Sequence, residues 1–256
     1  MEVMIVSFYK VTALKMGTLI AEKSQLTYGR DFGLMIEDPM WATAIEGNGI
    51  RAIIDTGIHD VGWVQKMVGD LYEVDQKDDE TMPGALAKIG WTPDDVNVVI
   101  NTHLHYDHCG NNYLFKNATF YTQRAEYEWS FNADVEYQKQ FYAPFLYNWQ
   151  AVKYPSWVML DGEYEIAPGF RLIPLPGHTK GCQGAFVNTE EGVLCVAGDS
   201  CNMVENVVDN VPPNIIWNFE TAYHSLETIR SRADRIMPGH DKIIKKYQSS
   251  DFPKVR

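Results

Sequence analysis

The sequence predicts an α/β sandwich formed by one domain. Strand-like runs alternate with helical segments in both halves of the chain, and in each half the strands lead into loops that carry histidine, aspartate and glycine. The 256 residues, 45% hydrophobic and 22% charged, can build one large core or two small ones. Because the chain contains no repeat, low-complexity tract or Gly/Ser linker, we expect a single domain over residues 1–256.

The first half of the chain predicts strands, a short helix and a buried strand. Three runs that end in turn residues have strand composition: Val3–Tyr9, Trp41–Gly47 and Arg51–Gly57. Residues 81–90 predict a short helix that Gly90 closes. The run Val96–Asn101 is continuous, apolar and β-branched, which is typical of a buried strand. It leads directly into a histidine-rich loop, the kind of place where functional sites usually lie.

The second half repeats this organisation. Strands are predicted at Phe170–Leu175 and Gly192–Gly198, and the loops that follow carry a histidine and an aspartate. A final helix over residues 219–233 places apolar residues on one face at helical spacing: Phe219, Ala222, Leu226, Ile229 and Ala233. A short strand at Arg235–Met237 follows this helix.

The composition excludes several classes of partner. A net charge of −12 argues against a surface that tracks phosphates, so no nucleic-acid partner is expected. No run of about 18 apolar residues exists to span a bilayer, and an N-terminal segment with Glu2 and Lys10 is a poor signal peptide. Four cysteines do not make a disulfide framework in a chain of this size. We expect a cytoplasmic protein with no membrane partner and mostly buried thiols.

The segment Asn101–Gly110, NTHLHYDHCG, contains three of the seven histidines and an aspartate. In a chain of this composition the pattern H-x-H-x-D-H arises by chance roughly 4 times in 10,000. Residues two apart in an extended segment project to the same side, so His103, His105 and Asp107 can converge on one pocket while His108 faces a neighbouring one. Imidazole suits zinc and similar metals, and a carboxylate adds charge for a second cation. The alternative is a solvated polar loop.

Four groups cannot complete two metal sites, so the metal hypothesis requires distant ligands. Three candidates follow predicted strands: His178, Asp199 and His240. Either histidine alone would be read as an ordinary structural residue. Their matching Gly-His contexts, together with the histidine-rich segment, place five of the seven histidines in one predicted constellation.

These residues, in this order and with the Ile53–Gly57 segment around Asp55, resemble the metallo-β-lactamase-fold hydrolases over most of the chain. The resemblance implies a four-layer αββα sandwich with the site along one edge. It implies one metal held by His103, His105 and His178. It implies a second metal held by Asp107, His108 and His240, with Asp199 bridging the two and Asp55 supporting a ligand from behind.

The expected cofactors are two divalent transition-metal ions, zinc first and manganese, iron or cobalt as alternatives. A water between two close cations loses a proton near neutral pH and becomes a nucleophile, while one cation polarises the carbonyl that it attacks. Asp107 or another group can then pass a proton to the departing oxygen. The expected reaction is therefore hydrolysis without a covalent enzyme intermediate.

Within the family, the 32 residues 81–112 resemble the N-acyl homoserine lactonases. This resemblance implies a quorum-quenching type of enzyme that opens an N-acyl homoserine lactone or a related small lactone or ester. Three alternatives stay open at this point: a thioesterase like glyoxalase II, a persulfide dioxygenase with one iron, and a metal-loaded scaffold without turnover.

One departure from the lactonase pattern concerns the proton donor. Those lactonases typically have a tyrosine three residues after the bridging aspartate, and here that position is Asn202. Asparagine can hydrogen-bond a carbonyl but cannot act as a phenolic acid. We therefore expect Asn202 to take part in catalysis with Asp107, and Tyr223 or Tyr106 to replace the missing phenol.

An aromatic-rich helical segment is expected at about 120–157, because 13 of the 32 aromatic residues fall between Phe120 and Trp157. Phe141, Phe145 and Trp149 recur every four residues, which places them on one helical face. The segment either packs on the core or forms a homodimer contact, or it forms an aromatic wall that binds an apolar acyl chain or a flat ring.

Overall fold

The computed structural model describes residues 7–69, 72–142, 156–244 and 248–256. Part of the predicted first strand, residues 3–6, lies outside the described residues. Phe145 and Trp149 of the predicted aromatic face lie outside them as well.

The described strands form two sheets. The larger sheet has the strand order β4-β1-β2-β3-β5-β6-β7. Its strands are β1 (Lys10–Glu22), β2 (Met35–Gly47), β3 (Ile50–Ile54), β4 (Glu73–Asp75), β5 (Val98–Ile100), β6 (Thr119–Gln123) and β7 (Ser156–Leu160). β4, β1, β2 and β3 pair antiparallel, and β3, β5, β6 and β7 run parallel.

The smaller sheet has the strand order β12-β11-β10-β9-β8. Its strands are β8 (Tyr164–Ala167), β9 (Phe170–Pro174), β10 (Gln183–Thr189), β11 (Gly192–Gly198) and β12 (Arg235–Pro238). β8 to β11 pair antiparallel, and β12 joins β11 in parallel after a helical crossover.

Seven α-helices are described: α1 (Val61–Val68), α2 (Met82–Ala87), α3 (Tyr106–Cys109), α4 (Arg124–Phe131), α5 (Glu136–Lys139), α6 (Val204–Val208) and α7 (Phe219–Arg232). The longest, α7, begins at a side-chain cap, because Asn218 accepts a hydrogen bond from the backbone N–H of Thr221. Among the described residues, no helix has the length and apolar character needed to cross a bilayer.

Three apolar cores lie between four layers. The inner faces of the two sheets bury side chains against each other, among them Val11, Ile45, Ile54, Val98, Phe170, Leu172, Val187 and Val196. The outer face of the larger sheet packs on α1, α2 and α4 through residues that include Ile53, Val64, Leu86, Phe120 and Trp129. The outer face of the smaller sheet packs on α6 and α7 through Ile173, Phe186, Val207, Leu226 and Ile229. The αββα sandwich is confirmed.

Most of the predicted elements are confirmed, and three are corrected. The first strand begins at Lys10, since Ser7–Tyr9 are not in a strand. Phe219 is 39% exposed, because it lies in the first turn of α7 where the helix has not yet reached the core. The segment 120–157 is not helical at its ends, which lie in the neighbouring parallel strands β6 and β7. The four cysteines are buried and free, as expected.

The topology brings the loops with the candidate ligands to one edge of the sandwich. Asp55 follows β3, and the histidine-rich loop follows its parallel neighbour β5. On the other sheet, Asp199 follows β11 and His240 follows its parallel neighbour β12. Carboxyl ends of parallel neighbours point to the same edge. The loop with His178 follows β9 and reaches the same place.

Gly177 packs tightly against α7 in the His178 loop, and it gives a first prediction. Its φ is +144°, and a Cβ built there lies 2.5 Å from Cα of Ala222. A substitution adds overpacking of about 1–3 kcal/mol to the backbone strain. We expect Gly177→Ala to lower the free energy of unfolding of the metal-free protein, measured by urea denaturation, by more than the strain alone.

The matched control is Gly162→Ala. Gly162 also has a positive φ, +117°, but no atom within 4 Å of a built Cβ, so its cost should be the strain of about 1–2 kcal/mol. Equal losses in the two variants would show that the close approach to α7 is not a packing constraint.

Candidate metal centre

The structure brings all seven predicted metal ligands into one buried cluster. Three groups have ligand atoms within 4.8 Å of one another: His103 with His105 and His178, His103 with His108 and Asp199, and Asp107 with His108 and His240. None of the seven residues is more than 8% exposed. The cluster lies where the loops after β3, β5, β9, β11 and β12 meet.

We call His103, His105 and His178 the first group, and Asp107, His108 and His240 the second group. In the first group, the hydrogen bonds of the ring nitrogens that face away from the cluster fix the tautomer of each histidine. Nδ1 of His178 lies 2.6 Å from the carbonyl oxygen of Ile215, which only accepts, so Nδ1 carries the proton. Thr102 Oγ1 donates to Asp55, so it accepts from Nδ1 of His103 at 3.1 Å. In His105 the nitrogen that faces outward is Nε2, which contacts Gln138 and carries the proton. The remaining nitrogen of each ring therefore has a lone pair.

The second group places its histidines against carboxylates. Nδ1 of His108 donates to Asp55 Oδ2 at 2.8 Å, and the same Asp55 accepts from the backbone N–H and the hydroxyl of Thr102. Asp55 holds this position with a φ of +59°, a strained conformation for a residue other than glycine. Nδ1 of His240 lies 3.1 Å from Asp38 Oδ1. Asp107 Oδ2 lies 3.5 Å from Nε2 of both His108 and His240.

Asp199 lies between the two groups of histidines. Its Oδ1 is 3.2 Å from Nε2 of His108 and 3.1 Å from Nε2 of His240. Its Oδ2 is 3.4 Å from Nε2 of His178 and 3.9 Å from Nε2 of His103. One carboxylate therefore faces both groups, with one oxygen toward each, which is the geometry of a bridging ligand.

The donor set fits bound cations. Nε2 of His178 and Nδ1 of His105 lie 3.1 Å apart, and both carry lone pairs by the tautomers above. Two acceptors at that distance repel unless a positive charge lies between them. Within the described residues, Nε2 of His103 is buried without a hydrogen-bond partner. Nitrogen and oxygen ligands with fixed outer hydrogen bonds are those that zinc prefers.

Burial and mutual repulsion keep the first group neutral without metal. Desolvation lowers the pKa of His103 and His105 well below the usual value and lowers the pKa of His178. Charge on a neighbouring imidazole lowers the pKa of each of the three further. Neutral imidazole is the form that binds a metal ion.

The histidines of the second group have pKa values that shift in the opposite direction. Burial opposes the charged form of His108, but the carboxylates of Asp199, Asp107 and Asp55 outweigh it and raise the pKa of His108 well above its usual value. Burial likewise opposes charge on His240, and Asp38 and Asp199 outweigh it and raise its pKa. Without metal, protons on these two rings compensate the buried carboxylates.

A cavity opens beside the cluster and joins it to an apolar wall. Asn202, Tyr106 and Phe141 line it together with ligands from both groups. Leu19, Leu26 and Ile215 supply the apolar part of the wall. Asn202 is 1% exposed, and its Oδ1 has no hydrogen-bond partner among the described residues. Tyr223 is 41% exposed on α7 and is not among the described residues that line the cavity.

Three residues near the cluster were not predicted from the sequence. Asp38 in β2 contacts His240, Gln138 in α5 contacts His105, and Tyr72 lines the cavity with its hydroxyl 2.5 Å from Gln25 Oε1. Asp38 carried no clear signal, because it precedes the predicted strand Trp41–Gly47 and its burial in β2 is visible only in the structure. Gln138 and Tyr72 lie in short polar stretches with no pattern that separates them from surface residues.

Comparisons with known proteins point to one superfamily. The model of the metallo-β-lactamase superfamily matches residues 36–240. An N-acyl homoserine lactonase from Bacillus thuringiensis is 27% identical over 243 residues, 91% of this chain and 93% of that protein. An N-acyl homoserine lactonase from Azorhizobium caulinodans is 29% identical over 220 residues, 81% of this chain and 80% of that protein. A solved structure of a quorum-quenching N-acyl homoserine lactone hydrolase has a TM-score of 0.76 at 25% identity, and the match covers 93% and 94% of the two chains.

The raised pKa values predict how the stability of the metal-free protein depends on pH. His108 and His240 have pKa values above about 6.5 when folded. Their contribution is complete below pH 6.5 and is lost as pH rises through the folded values. We expect the free energy of unfolding of metal-free protein, from urea titrations, to fall between pH 6.5 and 8.

With zinc bound, the free energy of unfolding should rise with pH instead, because zinc binding requires deprotonated ligands and becomes stronger as pH rises. His240→Gln should make the decline of the metal-free protein shallower. A metal-free stability that rises with pH in this window would contradict the assigned protons on His108 and His240.

Proposed function

The chain belongs to the metallo-β-lactamase superfamily and is a metal-dependent hydrolase, and we propose that it opens the ring of an N-acyl homoserine lactone or a related small lactone. The observation that carries the proposal is the position of Asp199, with one carboxylate oxygen toward each group of histidines. The lactonases at 27–29% identity, matched over four fifths of the chain or more, support the substrate class.

The two metal positions are proposed as follows. The first is held by His103, His105, His178 and Asp199, and the second by Asp107, His108, His240 and Asp199. Zinc is the proposed metal in both, given the nitrogen and carboxylate ligands. When bound, the two cations supply a low pKa for a water molecule and polarisation of a carbonyl oxygen.

The side chains around the cavity orient the substrate. Leu19, Leu26, Phe141 and Ile215 present an apolar surface that suits an acyl chain or a flat ring. The buried amide of Asn202 faces the same cavity and can donate a hydrogen bond to a carbonyl oxygen of the substrate. Substrate is thereby held with its apolar part on the wall and its ester group toward the cluster.

The leaving group requires a proton, and Asp107 is the proposed donor. In the reaction, water oxygen adds to the lactone carbonyl carbon, the ring C–O bond breaks, and the ring oxygen leaves as an alkoxide that must be protonated. Asp107 lines the cavity and lies 3.5 Å from Nε2 of both His108 and His240. It can carry the proton of the water to the departing oxygen. The product is a hydroxy acid, which releases one proton at neutral pH.

Acid release provides the test of this function. We expect zinc-loaded protein to release acid continuously at constant pH when a medium-chain N-acyl homoserine lactone is added, and metal-free protein to release none above the spontaneous rate. The metal content of the same sample is measured in parallel. Two ions per chain without acid release would rule out this lactone and leave the hydrolase centre standing, with a thioester as the next substrate to assay.

His108→Ala tests the dinuclear centre. The variant removes a ligand of the second position only, so we expect it to retain one zinc ion per chain and to lose activity by a factor of about 100 or more. His224→Ala is the control, because His224 lies exposed on α7 and should leave both metal content and activity unchanged.

The metal content of the wild type decides between two readings of the site. Metal-replete wild-type protein that carries one ion, and that ion iron, would contradict the dinuclear proposal and favour a persulfide dioxygenase.

A further inference from the structure

Gln138 lies between the two loops that supply the first metal position. It belongs to α5, within the aromatic-rich segment, and its side chain is completely buried. Its Nε2 donates to the carbonyl oxygen of His178 at 2.7 Å, and its Oε1 lies 3.1 Å from Nε2 of His105. One amide therefore contacts the ring of one proposed ligand and the backbone of another.

The two contacts together determine which nitrogen of His105 binds. A carbonyl oxygen only accepts, so the amide nitrogen of Gln138 must be the atom that faces His178. The amide oxygen then faces His105 and accepts, which places the proton of this imidazole on Nε2. Nδ1 keeps the lone pair, and Nδ1 is the atom 3.1 Å from Nε2 of His178.

We propose that Gln138 is a positioning residue of the metal centre, which selects the Nε2–H tautomer of His105 and fixes its distance to His178. The inference rests on the proposed function, since it concerns the ligands of the first metal position. It also assigns a role to the α5 part of the aromatic-rich segment: this part completes the surroundings of the ligands rather than covering the core alone.

Glutamine suits this position better than residues of similar size. A glutamate would place a carboxylate against the carbonyl oxygen of His178, and the two acceptors would repel. A methionine would leave the buried N–H of His105 without an acceptor, at a cost of about 1–3 kcal/mol. In either case the imidazole would be free to turn or to exchange its tautomer.

A buried carboxylate makes a second connection between the same two loops. Glu126 is buried and accepts from the backbone N–H of Leu104 and of Gly181 and from the hydroxyls of Thr179 and Tyr142. This carboxylate joins the loop of His105 to the loop of His178 independently of the amide. Removal of Gln138 should therefore disturb the imidazole of His105 and leave the loops assembled.

The test compares Gln138→Met with Gln140→Met. Gln140 lies two residues further along, is exposed, and donates to the carbonyl oxygen of Tyr137. Zinc alone is the probe, and a competing chelator measures the affinity of each ion. We expect Gln138→Met to lower the affinity for one of the two zinc ions about 10–100-fold and to leave the affinity for the other unchanged. Gln140→Met should bind both ions as the wild type does.

The thermal unfolding of the metal-free variants separates positioning from support of the fold. A positioning role predicts a midpoint for Gln138→Met close to that of Gln140→Met. Unchanged affinity for both ions would overturn the inference. Weaker binding of both ions together with a large loss of metal-free stability would also overturn it, since Gln138 would then act as a structural residue.

Wild-type protein provides a second measurement that does not depend on the folding of a variant. Nitrogen-15 spectra of the histidine rings, with His105 assigned by its absence from a His105→Gln sample, report the tautomer. We expect Nε2 of His105 to stay protonated and the nitrogen-15 resonance of Nδ1 to shift when zinc is added. Binding of zinc to Nε2 would contradict the role of Gln138. Wild-type protein that binds two zinc ions without lactone turnover leaves this inference intact, whereas wild-type protein that binds no zinc contradicts the proposed function.

Discussion

One electrostatic constraint dominates this edge of the sandwich: five imidazoles and two carboxylates are buried close together in two adjoining groups. Such a set is repulsive by itself, because burial removes the water that would screen it. Protons on His108 and His240 relieve part of this repulsion in the metal-free chain, as their raised pKa values indicate. Bound cations relieve it more completely, so metal binding and the stability of this edge of the sandwich are linked.

The fold satisfies the constraint with fixed outer contacts. Each imidazole contacts a group on its outer side. Thr102 is the sequence neighbour of His103, whereas the other outer groups come from elements distant from their histidines: β2, the loop after β3, α5 and the loop before α7. The strain at Asp55, with its φ of +59°, is consistent with this role. The backbone departs from its preferred region there, and in return one carboxylate accepts from both Thr102 and His108.

The sequence predicted the members of the buried cluster better than the residues behind them. The spacing of the histidine-rich loop and the strands on either side of it are local patterns, and parallel neighbours then bring Asp199 and His240 to the same edge. Asp38 and Gln138 could not be found in this way. Each acts through a contact with a histidine more than 30 positions away in the sequence, and neither lies in a sequence motif that occurs again near another cluster residue. Tyr223 was expected near the reacting group, but it is exposed on α7 and is not among the described residues that line the cavity. Helical spacing does not determine which face of α7 meets the cavity.

The outer contacts also divide the centre into two unequal halves. The histidines of the first group meet neutral partners, the hydroxyl of Thr102, the amide of Gln138 and the carbonyl of Ile215. Those of the second group meet the carboxylates of Asp55 and Asp38. A carboxylate behind an imidazole raises its basicity as a ligand, whereas a neutral acceptor does so less. The proposed second position is therefore surrounded by more negative charge than the proposed first position. Such inequality would suit the proposed hydrolysis, in which one side stabilises an attacking oxygen and the other polarises a carbonyl.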